Sequence, residues 1–305
     1  MTAGIDRGLR PHQVIGYEAV PPNLLINGGF EIWQRGGGTF STDLDFSADE
    51  WRLNVNTGAG DTLSVDRTTA PKFGTYAALM NYSRASFVAY CEQGVETWAS
   101  LEGQWLTFSA WLYANTPNAV RLRIWDWTGA SASEGSNFHT GTGWEHITVS
   151  KLIRSGLTSY SAWPHSFGIR VGMVFEQNIT GARIDGAMLV PGKYPEGVPY
   201  IPRHPADDWE SCYRFYQAGP DFSSGATWNG DVQTVTGDYW AGRDFLTPMY
   251  ATPTVNVTGS SQDARFVAGP SAVNGITSNG FWTARTVSGS TGRGWFTDYF
   301  TAEVT

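Results

Sequence analysis

The chain has 305 residues, of which 41% are hydrophobic and 14% aromatic, enough for packed cores and incompatible with global disorder. Charged residues make up only 16%, against roughly 25% in an average globular chain, and 36 glycines stand where a helical protein would carry Ala, Glu, Lys and Leu runs. The net charge of −8 and the lack of any basic cluster argue against nucleic acid, and no apolar run reaches the roughly 20 residues that span a bilayer.

Residues 1–22 mix Gly, Pro and isolated charges and end in Pro21-Pro22, which predicts an extended arm without a core of its own. Met1 to Arg10 lacks the apolar centre of a secretory signal, so a reducing folding compartment is expected, with Cys91 and Cys212 as buried thiols.

From Asn23 to Pro202 the pattern is alternation of period two. Phe108, Ala110, Leu112 and Ala114 share one face of a strand, and Thr107, Ser109, Trp111 and Tyr113 share the other. Leu122 and Ile124 oppose Arg121, Arg123, Trp125 and Trp127; Phe167, Ile169, Val171, Met173 and Phe175 oppose Arg170, Val174 and Glu176. Strands with one apolar and one mixed face build an antiparallel sandwich. Turns are expected at 57–60, 115–118 and 141–143, where Gly, Asn and Pro cluster.

The stretch 191–202 holds Pro191, Pro195, Pro199 and Pro202 and is either an ordered crossing segment or a linker. A helix is predicted over Pro205–Gln217, with Asp207 and Asp208 at its N-terminus and Trp209, Cys212, Tyr213 and Tyr216 at helical spacing. The remainder reads as a smaller β domain. Its Phe281–Val287 run is expected to form a hairpin with Trp295–Val304 through the turn 288–294. Trp228, Tyr239, Trp240, Trp282 and Trp295 exceed what a small core needs, which suggests an interface at a trimer axis.

The sharpest candidate site is the face carrying Arg121, Arg123, Trp125 and Trp127. Trp rings stack on the C–H faces of sugars and Arg donors bridge their hydroxyls, while the same residue types also fill protein interfaces. Trp111 and Tyr113 on the preceding strand are expected to extend this platform. Asp43, Asp45, Asp49 and Glu50 read as a solvated acidic loop. His139 and His146 flank a glycine turn and would meet across a hairpin. No nucleophile elbow, phosphate loop or metal-binding His spacing appears, so a non-enzymatic role is expected.

Several of these segments together resemble a module of bacteriophage tail-fibre and receptor-binding proteins. The resemblance is carried by an opening strand at Asn23–Gly36 (NLLINGGFEIWQRG), the turn Ser47–Arg52 (SADEWR, with Glu50 where the family more often has Arg), the strands led by Leu106 and Trp144, Ile184–Leu189 (IDGAML) and Cys212–Tyr216 (CYRFY). Pro248–Val255 (PMYATPTV) fits the segment that follows in such proteins. The sandwich part is also similar to jelly-roll carbohydrate-binding modules. The resemblance implies an all-β chain: a jelly-roll sandwich at 23–202, then a short helix and a smaller β domain at 203–305 for oligomerisation or receptor contact. It further implies a virion surface protein, made in the host cytoplasm and often trimeric, whose arm docks on other virion proteins and whose sandwich binds host surface polysaccharide. A capsid-decoration or collar fibre without glycan binding is the alternative. In related jelly rolls, positions matching Glu31 and Asp185 hold a structural calcium, against the plainer reading of carboxylates accepting backbone N–H bonds at strand ends.

Overall fold

The computed structural model describes residues 21–160, 167–217, 226–232, 238–244, 249, 253–262, 272–274, 276–286 and 292–303; the arm at 1–20 lies outside them. Ten antiparallel strands form the sandwich: β1 (Arg52–Asn54), β2 (Thr62–Thr68), β3 (Ala77–Ser83), β4 (Ala89–Gly94), β5 (Trp105–Ala114), β6 (Val120–Trp127), β7 (Ala132–Phe138), β8 (Gly143–Leu152), β9 (Ile169–Phe175) and β10 (Ile179–Pro191). The first sheet runs β1-β4-β9-β6-β7 and the second β2-β3-β10-β5-β8, five strands each, which is the expected jelly-roll sandwich.

The alternation read from the sequence is the core. Phe108, Ala110, Leu112 and Ala114 of β5 meet Leu122 and Ile124 of β6 and Val171, Met173 and Phe175 of β9 between the sheets, all essentially without solvent exposure. Phe167 departs from the prediction: it joins Ile26, Ile32, Cys212 and Phe215 in a separate small cluster. At one end of the core Asp126 of β6 is neutralised by Lys151 of β8 and by Arg154, so an ion pair ties the two sheets. Buried as it is, that pair needs both partners, because a lone buried charge is costly. Cys91 and Cys212 are free and buried as expected, and burial pushes the Cys91 thiol up to about 12.

Asn23–Gly36, expected as a strand, is a sequence of turns instead. Asn27 and Phe30 adopt left-handed backbone (φ 50° and 55°), which no strand tolerates. The Asn27 carboxamide replaces a strand partner: it accepts from the Ile32 N–H at 3.0 Å and donates to the Ile32 carbonyl at 2.8 Å. Phe30 thereby packs on Trp51 with ring centroids 4.6 Å apart, and the Trp51 indole donates to the Asn27 carbonyl at 3.2 Å. The turn expected at 47–52 is present, with Ser47 N–H donating to the Trp51 carbonyl at 2.8 Å and Glu50 at φ 70°. The acidic group is not a solvated loop: Asp49 and Glu50 are buried, and Asp43 accepts from the Val55 N–H at 2.8 Å.

The proline-rich stretch is an ordered crossing segment. It lies on the outer face of β5, where Tyr194 N–H donates to Thr107 Oγ1 at 3.0 Å and Val198 N–H to Ser109 Oγ at 3.1 Å. Helix α1 (Pro205–Tyr213) has Pro at its first turn and a His204 cap, and ends four residues earlier than predicted. Phe215 is drawn into the small cluster under the sandwich, and Tyr216 pairs instead with Glu303 in strand β11 (Tyr216–Gln217).

Beyond α1 come β12 (Ala226–Val232), β13 (Asp238–Asp244), β14 (Thr254–Gln262), β15 (Ala272–Asn274), β16 (Gly280–Thr286) and β17 (Gly292–Glu303). β16 pairs with β13 and β15, whereas β17 pairs with β11, β12 and β14. The hairpin expected between them is therefore a crossing between two sheets. The side chains of Trp228, Tyr239, Trp240, Trp282 and Trp295, assigned to a trimer axis, lie outside the described residues.

Asn27→Ala removes the two carboxamide bonds to Ile32, a longer one to the Asp49 carbonyl at 3.4 Å, and a residue type suited to left-handed backbone, so equilibrium denaturation should show a loss of about 2–3 kcal/mol. A loss below ~0.5 kcal/mol would show that the turn is held by Phe30 and Trp51 packing alone.

Candidate functional site

The outer face of the first sheet is built around charge alternation. Glu92 of β4 and Arg123 of β6 sit in register with Gly172 on the strand between them, β9. With no side chain at Gly172, the carboxylate and the guanidinium meet directly across β9. Glu92 also accepts from Arg170 at 3.2 Å, Arg123 bonds Glu134 of β7 at 3.0 Å, and Arg121 bridges Glu134 and, at 2.8 Å, Glu176. The face thus carries the chain Arg170, Glu92, Arg123, Glu134, Arg121, Glu176, alternating in sign. Burial presses on the Arg123 guanidinium, yet Glu92 holds its pKa above the usual value; Arg170, where burial dominates, is lowered.

Trp125 and Trp127, two apart on β6, lie side by side with planes only 5° apart and centroids 5.9 Å apart. Tyr160 meets both edge-on, at 5.3 and 5.1 Å. The Arg170 guanidinium covers Trp125 at 3.7 Å, and Trp125 is only 7% exposed. Trp125 is therefore the buried support, and Trp127 and Tyr160 are the half-buried rings at the surface. Arg123 lies over Tyr90 at 3.9 Å and closes the face on the β4 side. Of these partners, Glu92, Glu134, Tyr90, Tyr160 and Gly172 were not anticipated, because their meeting depends on which strands become neighbours.

Trp111 and Tyr113 do not extend this platform. β5 belongs to the second sheet and β6 to the first, so these two rings sit on the opposite outer face. There Trp111 packs against His146 at 5.4 Å and Phe73 at 6.2 Å, with the Lys72 ammonium 4.1 Å from its ring. Tyr113 packs on Trp144 at 5.7 Å, under Arg183 at 4.6 Å. The two histidines separate: His139 is buried and bonds the Gly143 carbonyl at 2.8 Å, while His146 stays with Trp111.

Glu31 and Asp185 line one cavity of about 620 Å³, together with Phe73, Tyr200, Asp208 and Trp209. Asp185 lies on β10 beside a bulge, opposite Trp111, and Glu31 lies in the turn-rich opening segment rather than on a strand. Asp185 accepts from the backbone N–H groups of Lys72 and Phe73, each at 2.7 Å, and of Gly186 at 2.6 Å. Glu31 Oε1 accepts from Thr75 at 2.6 Å and Tyr76 at 3.3 Å. The pair clamps the loop 72–76 with N–H donors already on its oxygens. Among the described residues no group of three His, Cys, Asp or Glu side chains is placed to hold a metal ion, so a calcium here would need backbone carbonyls and water for most of its six to eight oxygens. Burial, with the Glu31 charge adding, pushes the Asp185 carboxyl up to about 6 against its backbone hydrogen bonds.

No family model and no curated protein sequence matches the chain. Among solved structures, the chain is similar to a family 61 carbohydrate-binding module in complex with β-1,4-galactotriose, at 18% identity over 56% of this chain and 99% of that one, with a TM-score of 0.34. It is also similar to the CBM22-1 xylan-binding domain of Paenibacillus barcinonensis Xyn10C, at 10% identity over 57% and 97% of the two chains, TM-score 0.38. A third is the enzymatically active domain of bacteriophage CBA120 tailspike protein 4, at 8% identity over 56% of this chain and 21% of that one, TM-score 0.34.

Two outcomes follow from the site geometry. A Cβ at position 172 would strike the Cys91 carbonyl and lie 2.7 Å from the Glu92 Cα, so Gly172→Ala should cost about 2–4 kcal/mol in denaturation; a neutral result would mean that β4 and β9 spread freely. The Asp185 carboxyl keeps its proton in the folded state up to about pH 6, above its unfolded value, so its stabilising contribution is complete below about pH 4 and lost as pH rises to about 6. The stability of wild type minus that of Asp185→Asn should therefore fall between those pH values; a difference that is flat or rises would contradict it.

Proposed function

We propose that the chain is a virion surface fibre or spike subunit that adheres, without catalysis, to host surface carbohydrate through the outer face of its first sheet. The observation that carries the reading is the pairing of half-buried rings, Trp127 and Tyr160, with a rigid row of Arg and Glu side chains that alternates in sign. Stacking suits the C–H face of a pyranose, and the partly exposed end of the row, Arg121, Glu134 and Glu176, supplies a donor and acceptors for its hydroxyls, while Glu92, Arg123 and Arg170 hold that end in place from below. Because the three arginines of the row are matched by three glutamates, the face is close to neutral and favours an uncharged polysaccharide over an anionic one. The virion setting rests on the resemblance of the 23–36, 47–52 and 212–216 motifs to phage fibre proteins. In this reading the arm docks on other virion proteins and the 203–305 part holds a homotrimer. Linking three weak sites raises avidity by roughly 10²–10⁴.

The structure refines which tryptophan to change. Trp127→Ala should lower binding of the full chain to host cells and to their extracted neutral polysaccharide by about tenfold per site, with oligomeric size unchanged. Trp125→Ala should instead destabilise the fold, by about 3–5 kcal/mol, as expected for a buried Trp. Unaltered binding by a well-folded Trp127→Ala oligomer would sink the sugar reading. Failure of that variant to assemble would turn the face into a subunit contact, as in a structural decoration or collar protein.

A further inference from the structure

The cavity at the other side of the sandwich is used by none of the above. It is about 620 Å³, inside the roughly 300–1,000 Å³ range of small-molecule sites. Its walls are the rings of Phe73, Tyr200 and Trp209, with Phe73 and Tyr200 centroids 5.5 Å apart at 37°. Phe73 and Trp209 are 37% and 38% exposed, so both rings keep surface open to a ligand in the cavity. The polar lining is lopsided: Glu31, Asp185 and Asp208 against Arg203 alone. Arg203 is spent on Asp208, at 3.6 Å, and on Ser211 Oγ at 3.0 Å. The Lys72 ammonium, on the loop clamped by Asp185, is turned onto Trp111 rather than toward the carboxylate. Glu31 Oε2 and the Tyr200 hydroxyl have no hydrogen-bond partner among the described residues.

We infer that this cavity binds a small organic cation, an ammonium group carried on a ring body. The ring body would lie among Phe73, Tyr200 and Trp209, and the ammonium would face Glu31 and Asp185, gaining both charge pairing and cation–π contact. A neutral ligand of the same shape would leave the carboxylates as they are. The elevated Asp185 carboxyl agrees with this: Glu31 and burial hold it partly protonated, and a bound cation would favour its ionised form. This site is independent of the sheet-face reading, since the two lie on different faces of the sandwich.

The test is calorimetric titration of the full chain with glucosamine and with cyclohexylamine, each beside its neutral counterpart, N-acetylglucosamine and cyclohexanol. At least one amine should bind about tenfold more tightly than its counterpart. Binding of glucosamine alone points to an amino sugar, and of cyclohexylamine alone to an apolar amine. Trp209→Ala, at an exposed position, and Tyr200→Phe should each weaken the bound amine severalfold, whereas Trp127→Ala should leave it unchanged. Cyclohexylamine stays charged between pH 5 and 7, so if it binds, its affinity should rise over that range as Asp185 ionises. No binding of either amine, equal binding of the neutral counterparts, or binding indifferent to both Trp209→Ala and Tyr200→Phe would overturn the proposal.

Discussion

A carboxylate without solvent has to be neutralised where it stands, and Glu92 is such a group: its side chain is fully buried on the outer face of the first sheet. Two guanidinium groups close on it, Arg123 across β9 and Arg170 beside it. The arrangement exists only because the intervening residue is Gly172. The other side chains of that face follow from it. Arg170, drawn to Glu92, lies over Trp125 and removes that ring from solvent; Arg123, drawn the same way, lies over Tyr90 and hands its remaining donor to Glu134. What keeps some exposure on this face, the half-buried Trp127 and Tyr160 and the more exposed Phe138 beside Arg121, lies where the ion chain leaves room.

The inner half of this sandwich was legible from the sequence and the outer half only partly. Period-two alternation identifies Phe108, Leu112, Leu122, Ile124, Val171 and Met173 as core because an inward side chain has one fate, burial, whatever strand lies opposite. An outward side chain depends on its neighbours, and neighbours in a jelly roll are distant in sequence. β5 and β6 follow each other in the chain and lie in different sheets, so Trp111 and Trp125 diverge although their strands are consecutive. Glu92 and Arg170 touch across 78 residues of sequence, and no local pattern announces that contact.

Local geometry failed in a different way at Asn23–Gly36. The apolar residues Leu25, Ile26, Phe30, Ile32 and Trp33 are all buried. They are buried from turns, because a carboxamide can satisfy backbone groups as a strand partner does. Asn27 is such a substitute, and the Asn-Gly-Gly run that looked like the middle of a strand was its signal. The expected Phe281–Val304 hairpin failed for the opposite reason. A Gly-rich connection between two β runs fits a tight turn or a crossing equally well, and only the pairing of β16 with β13 separates them.

The buried ion chain also bears on how weak ligands are held. A long, flexible Arg ordered only on binding would lose side-chain entropy at that moment, about 1–2 kcal/mol for each one immobilised. Here Arg121, Arg123 and Arg170 are already fixed, each by at least one glutamate, before any ligand arrives. Ordering was settled during folding, so a weak contact made to this face is not offset by further ordering of these side chains. The same network limits how strong such a contact becomes. Donors engaged by Glu92 and Glu134 have few hydrogen bonds left to offer, so the face is suited to modest contacts rather than to one tight grip.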